Sequence, residues 1–496
     1  MDSLQNSLGE EKNLPITPLR LLPSLPAGGS SPTGASFRNS DLSACLALDT
    51  AAELSLAQAV QQALCNNPQT RQAWANALTQ AAGLGSARSA YLPSATAAIG
   101  RTRDASNLGP SVTASTKNLS LAYVLFDFGL RDANLDSARQ LLTAALASQD
   151  AALQVVFMNT TSAYYEAAIA KASLQAALDA QKAALESFNA AQARFKQGAG
   201  TPTDALQARA AYSKSVLDRV KAEGAALLAR GNLANAIGLP AQTELVLKED
   251  LKVGLKDSTS EVARLAGTAT SASFQSNPKS GLQVDTQGGL ETSVFAQTLE
   301  ALMEQARQSH PAIVAARAQL KAAERRVDAT AAEGLPSLSV TGARYLNGRP
   351  ATPLSSARSQ ETTYGVTLNI PLFEGFGRGA KVNAAQAQAL SKSVELSNAE
   401  LQVSLDVWRA YQDLQSQTAA LSASQDLVNS SSQAYQAMQA RYRVGAAGIV
   451  DVLNTQSAFA TGQQQRVETV GKWRAAQLKL LGALGLLGFW AVPEDQ

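Results

Sequence analysis

The chain repeats itself at long range, and this constrains its fold more than any other feature. Residues 193–206, ARFKQGAGTPTDAL, match residues 440–453, ARYRVGAAGIVDVL, at an offset of 247 with six of fourteen positions identical. The same offset sets Phe126 on Phe373, Tyr212 on Phe459, and Ala236-Ile237-Gly238-Leu239 on Ala483-Leu484-Gly485-Leu486. Upstream, an offset of 243 pairs Asn67-Pro68 with His310-Pro311 and Leu92-Pro93 with Leu335-Pro336. The chain therefore reads as two copies of one unit. Each copy is expected to run helix, strand, strand, very long helix, turn, helix.

These signals divide the chain into five parts. Residues 1–50 are a disordered or processed leader, and 51–240 the first repeat, with a hairpin over about 91–128 and a long helix over about 130–196. Residues 241–290, rich in Ser, Gly and Thr, are a linker or insertion. Residues 291–490 are the second repeat, with a hairpin over about 335–373 and a long helix over about 378–443, and 491–496 are a C-terminal tail. The leading helix of each copy, roughly 54–90 and 296–333, is interrupted or started near a proline, which lacks an amide donor.

The strands show a period of two. Tyr364, Val366, Leu368, Ile370 and Leu372 alternate with Thr363, Gly365, Thr367, Asn369 and Pro371, and Leu119, Leu121, Tyr123 and Leu125 line one face of the matching segment. About ten residues suffice for a tilted strand to cross a bilayer, so Tyr364, Val366, Leu368 and Ile370 are assigned to a lipid-facing strand face. Four strands cannot close a barrel, and open edges in lipid leave backbone groups unsatisfied, so subunits must share one. A lumen wide enough for passage favours twelve strands over eight.

The long helices contain no proline, and at 1.5 Å per residue each spans ~100 Å. Val407, Leu414, Leu421, Val428, Tyr435 and Tyr442 recur every seventh position, which implies supercoiling against a partner helix.

Composition removes several alternatives. Charge is nearly balanced, 42 basic against 40 acidic residues with no basic block, which argues against nucleic acid as a partner. Two cysteines, Cys45 and Cys65, and the single His310 supply neither a disulfide framework nor a Cys/His metal site, and no cofactor motif or nucleotide-binding loop occurs. Nothing places paired carboxylates in a pocket, so the chain is not expected to be an enzyme. No run of 18 apolar residues marks a membrane-spanning helix. Leu42-Ser43-Ala44-Cys45 has the form of a lipoprotein cleavage site, but Asn39-Ser40-Asp41 precedes it where an apolar core belongs. A disordered leader followed by a buried thiol is the plainer reading.

The duplicated order, the Leu-Phe-Asp-Phe-Gly and Pro-Leu-Phe-Glu-Gly stretches that end the hairpins, and Arg441-Tyr442-Arg443-Val444-Gly445 followed by Ile449-Val450-Asp451-Val452-Leu453 together resemble the TolC-like outer-membrane efflux family. The likeness covers roughly residues 50–490. It implies a mainly α fold with a β-barrel portion: a homotrimer with a twelve-stranded outer-membrane barrel and a long periplasmic helical barrel. It also implies a periplasmic adaptor protein, an inner-membrane ABC transporter or other pump, and passive export of a protein toxin or small molecules across the bacterial outer membrane. Carried over by position, the turns with Gly198, Gly200, Gly445 and Gly448 form the adaptor-docking tip. Asp451 lines the entrance, Asn454 stands where a second acid is expected, and Thr203, Asp204 and Tyr442 belong to the network holding the entrance shut. The arginine of that network is replaced by Ala447.

Simpler readings stand beside these. Asp204 and Asp451 fit helix caps or first-turn acids, and the tip glycines fit turn geometry. His310 fits a helix start, and Trp408, Trp473 and Trp490 fit packing. A soluble coiled-coil scaffold is the alternative function, but it has no use for alternating ten-residue strands.

Overall fold

The computed structural model describes residues 53–104, 112–248, 298–346 and 360–486. The leader to residue 50, Cys45, most of the 241–290 linker, Trp490 and the 491–496 tail lie outside the described residues. In chain order the elements are β1 (Glu53–Leu54), α1 (Leu56–Asn66), α2 (Pro68–Ser89), β2 (Ser94–Asp104), β3 (Val112–Phe126), α3 (Leu130–Lys196) and α4 (Pro202–Ala236). There follow β4 (Val246–Leu247), α5 (Leu299–Ser309), α6 (Pro311–Ala332), β5 (Ser337–Leu346), β6 (Gln360–Asn369), α7 (Gly377–Arg443) and α8 (Ile449–Ala483). Helices α3 and α7 are each 67 residues long, and α4 and α8 each 35.

The chain forms two compact units. One holds residues 75–148 and 312–400 and contains a four-stranded antiparallel sheet in the order β2-β3-β5-β6. Its register separates two kinds of side chain, because successive strand residues point to opposite faces. Tyr364 pairs with Gly342 and Gly342 with Leu121; Val366 pairs with Val340 and Val340 with Tyr123; Leu368 pairs with Leu338. These lie on one face with Ala95, Ala97 and Leu119, where Ala95 pairs with Leu121 and Ala97 with Leu119. The opposite face carries Thr96 against Ser120, Ala122 against Thr341, and Ser339 against Thr367. Tyr364, Val366 and Leu368 are 89%, 67% and 57% exposed, so the apolar face of this sheet is bare. Ile370 lies just past the end of β6, so it continues that apolar row without a ladder partner.

The passage from strand to helix is fixed by one arginine. Arg131 donates through Nη1 to the Val124 carbonyl at 2.9 Å and through Nε to Asp127 Oδ2 at 2.8 Å, and its guanidinium covers the Tyr91 ring. At the second hairpin Arg378 pairs with Glu374 at 3.8 Å and lies directly on Gly334.

The other unit comprises the residues up to Trp74, 149–311 and those from Leu401 onward. Its largest fully buried side chains include Phe157, Tyr164, Leu233, Ile237, Leu302, Leu480 and Leu481. The first helix expected over 54–90 is interrupted at its proline, as the sequence predicts: Asn67 ends α1, and Pro68, having no amide hydrogen, begins α2. Ser55 opens α1 with a capping box, accepting from the Gln58 amide while Gln58 Oε1 accepts from the Ser55 amide. In the second copy His310 separates α5 from α6 in the same way. Strand β1 pairs in parallel with β4, which lies at the start of the 241–290 segment. A two-residue strand is too short to show alternation, so the sequence could not reveal it.

In the heptad row of α7, Val407, Leu421 and Val428 are buried while Leu414, Tyr435 and Tyr442 are half-buried. Helix α8 packs there: Arg466 Nη1 donates to the Leu421 carbonyl at 2.8 Å, and Trp473 Nε1 donates to Thr418 Oγ1 at 3.2 Å. Trp473 is thus a packing residue with a satisfied donor, whereas Trp408 is 47% exposed.

Two expectations change. Cys65, 8% exposed on α1, is disulfide-bonded, where the two cysteines were expected to supply no disulfide framework. One 18-residue stretch of α3 reaches a mean hydropathy of 1.4, apolar enough by composition to cross a membrane although no unbroken apolar run exists. Helix α3 buries Phe157, Tyr164 and Ala168, which gives the apolar side chains a protein core to fill.

Candidate functional site

The entrance and tip positions singled out from the sequence cluster where α3 turns into α4 and α7 into α8, all within one unit, whereas the strand-face residues Tyr364, Val366, Leu368 and Ile370 belong to the other. Both turns are built alike. In the first, the Gly198 amide donates to the Phe195 carbonyl at 3.0 Å and the Ala199 amide to the Arg194 carbonyl at 2.9 Å. In the second, the Gly445 amide donates to the Tyr442 carbonyl at 3.0 Å and the Ala446 amide to the Arg441 carbonyl at 2.8 Å. Gly198 and Gly445 sit at φ +74° and +78°, the left-handed conformation that ends a helix at lowest cost when the residue has no Cβ.

Each returning helix is then capped. Thr201 Oγ1 accepts from the Asp204 amide at 3.2 Å, and Asp204 Oδ2 accepts from the Thr201 amide at 3.1 Å, with Pro202 in the first turn. Asp451 Oδ2 accepts from the Gly448 amide at 3.4 Å; Gly448 has no side chain to return the bond. Asp204 and Asp451 therefore cap α4 and α8 and oppose the positive helix ends, while Arg194, Lys196, Arg441 and Arg443 occupy the last turns of α3 and α7. Asp451 and Asn454 are exposed one helical turn apart, and Thr203 is exposed beside Asp204.

The two hairpins meet through a small core of Ala191, Ala208, Ile449 and Val452, against which Phe188, Tyr435, Met438, Tyr442 and Leu453 pack. Each hairpin also carries an internal aromatic stack, Phe188 on Tyr212 at 6.2 Å and Tyr435 on Phe459 at 6.0 Å.

One contact was not foreseen. Arg194 reaches from the end of α3 across to α7, where Nη1 donates to the Tyr442 carbonyl at 2.9 Å and the guanidinium lies 4.7 Å from the Tyr442 ring centroid. A charge-assisted hydrogen bond and a cation–π contact thus hold one hairpin to the other. Thr203, Asp204 and Tyr442 form no hydrogen bond with one another within the chain; Tyr442 instead takes its arginine from the other hairpin, while Ala447 occupies the position where one was expected. The signal was present in the repeat, since Arg194 and Arg441 are among its identical residues. No cluster of metal-ligating side chains occurs among the described residues.

Known proteins show the same architecture. The model of the family described as outer membrane efflux protein matches residues 59–239 and 302–486. Protein CyaE of Bordetella pertussis is 30% identical over 446 residues, which is 89% of this chain and 86% of that protein. Outer membrane protein TolC of Escherichia coli is 23% identical over 87% of this chain and 82% of its own length. Among solved structures, VceC from Vibrio cholerae superposes with a TM-score of 0.68 at 19% identity, covering 88% of this chain and 96% of that one. The open-state MtrE channel of Neisseria gonorrhoeae superposes with a TM-score of 0.65 at 21% identity, covering 87% and 88%. The matched segments span most of both repeats, and the chain belongs to the outer membrane efflux protein family, as an outer-membrane channel protein that extends into the periplasm.

Proposed function

We propose that three copies of this chain assemble into one duct that passively conducts cargo from an inner-membrane transporter to the exterior. The carrying observation is the sheet: four strands with free edges at β2 and β6 and a bare apolar face of Tyr364, Val366, Leu368, Leu121 and Tyr123. Free edges in hydrocarbon leave amides and carbonyls unsatisfied, so β2 of one copy pairs with β6 of the next, closing twelve strands around the face of Thr96, Ser120 and Thr367. The 67-residue helices then continue the wall of the duct into the periplasm. The exposed turns at Gly198, Gly200, Gly445 and Gly448 meet a periplasmic adaptor, which links the duct to an ABC transporter or another pump. Asp451 lines the entrance as a ring of carboxylates, with Asn454 next along the wall and Thr203, Asp204 and Tyr442 beside it. The duct performs no chemistry of its own. A protein secreted by a type I route fits this frame, and so do small molecules, because the partner pump selects the cargo.

Purified protein added to planar bilayers tests the proposal. Stable single-channel conductance from a species with the mass of a trimer supports it; a monomer recovered without detergent and without conductance refutes it and restores the coiled-coil scaffold.

A further inference from the structure

The clamp between Arg194 and Tyr442 joins the first hairpin to the second within one chain. Its counterpart in the repeat pairs Arg441 with Phe195, and every part of that counterpart is present but unassembled. Arg441 is exposed and its guanidinium makes no hydrogen bond or ion pair among the described residues, and Phe195 is 43% exposed. The Phe195 carbonyl is held like that of Tyr442: each accepts the amide of the left-handed glycine at 3.0 Å. The Tyr442 carbonyl accepts Arg194 as well, since a carbonyl has two lone pairs; the Phe195 carbonyl keeps its second lone pair. The flanking charge matches too, Arg443 beside Tyr442 and Lys196 beside Phe195, so the basic neighbour that the existing clamp tolerates recurs at the other site.

Within the chain Arg194 is joined to Tyr442, whereas Arg441 and Phe195 form no such pair. A second copy supplies what is missing. In a closed ring where first and second hairpins alternate, the step from the second hairpin to the next chain's first repeats the step within a chain. We infer that Arg441 clamps the neighbouring copy, donating to the Phe195 carbonyl and covering the Phe195 ring, so that the tips are tied by alternating clamps within and between chains. This rests on the shared duct proposed above and names the contact that holds its entrance together. The contacts between copies have phenylalanine where those within a chain have tyrosine, so the ring is chemically uneven at the subunit boundaries.

The test places the photoreactive residue p-benzoylphenylalanine at position 195 of the full-length protein in detergent. Irradiation is expected to yield a covalent dimer on denaturing gels, with the attached peptide mapping to residues 440–444 of the second chain. Arg441→Ala should lower the dimer yield several-fold and raise resting conductance in bilayers while trimers persist, and Arg441→Lys should recover only part of each. The same reagent at Tyr442 should attach within its own chain, to residues around Arg194. Trimers that form without the 195 to 440–444 cross-link overturn the inference and leave the duct standing. Absence of trimers removes both.

Discussion

Gly485 and Pro311 meet where no larger side chain fits: with Gly485 at φ +72°, an added Cβ would lie 3.0 Å from Pro311 Cδ and 3.2 Å from the His310 Cα. Gly238 makes the matching contact in the first repeat, at φ +82° and 3.0 Å from the Asn66 carbonyl carbon and oxygen. Both obstacles are backbone or a proline ring, which cannot swing aside. Gly485→Ala and Gly238→Ala should each lower stability by about 2–3 kcal/mol, the upper part of the usual range for strained backbone. Gly198→Ala, at φ +74° in open space, should cost about 1 kcal/mol. Chemical denaturation followed by circular dichroism checks the ranking, and equal losses at Gly198 and Gly485 would contradict it.

The helix–strand order was readable because it rests on local chemistry: prolines at positions 68 and 311 start helices, proline-free alanine-rich stretches form the 67-residue helices, and residues 363–370 alternate. The caps at Asp204 and Asp451 were readable for the same reason. The β1–β4 pair and the reach of Arg194 to Tyr442 were not, since each joins residues far apart in sequence through geometry that no short pattern encodes. Alignment of the repeats against each other came nearest, because it set Arg194 on Arg441 before either had a partner.

Asp150, on α3, is pushed by burial from 3.8 to about 6. The folded chain therefore holds this proton more tightly than the unfolded chain does. Stability is fullest below pH 3.8 and is lost as pH rises toward 6, a penalty of up to about 3 kcal/mol at pH 7.5. Asp150→Asn should stabilise the protein at pH 7.5 by up to that amount and do nothing near pH 3.5. Unfolding midpoints at the two pH values check this, and the same gain at both would exclude burial of the charge as the cause.

At the proposed entrance, Asp451 is exposed and, among the described residues, its carboxylate accepts only a 3.4 Å bond from the Gly448 amide. Asp451→Ala should reduce cation selectivity and weaken block by multivalent cations, with a loss of cap stability of about 1 kcal/mol. Asn454→Asp adds an acid one turn further and should shift selectivity the other way. Reversal potentials in asymmetric salt measure both, and a pair of variants with unchanged potentials would leave Asp451 as a cap alone.

Leu368 and Thr367 are sequence neighbours on opposite faces of β6, which in the proposed barrel separates lipid from lumen by one residue. Leu368 is 57% exposed on the face shared with Leu338, and Thr367 pairs with Ser339 on the polar face. Leu368→Arg places a charge in hydrocarbon and should cost about 2–4 kcal/mol near the midplane, seen as fewer assembled trimers in the membrane fraction. Thr367→Arg points the same charge into the water-filled lumen, so trimers should assemble normally and conductance should fall as the bore narrows and its charge changes. The comparison is internal: identical side chains, adjacent positions, opposite outcomes. If Thr367→Arg blocks assembly while Leu368→Arg inserts, the assignment of faces is reversed, and with it the side of the sheet that lines the duct.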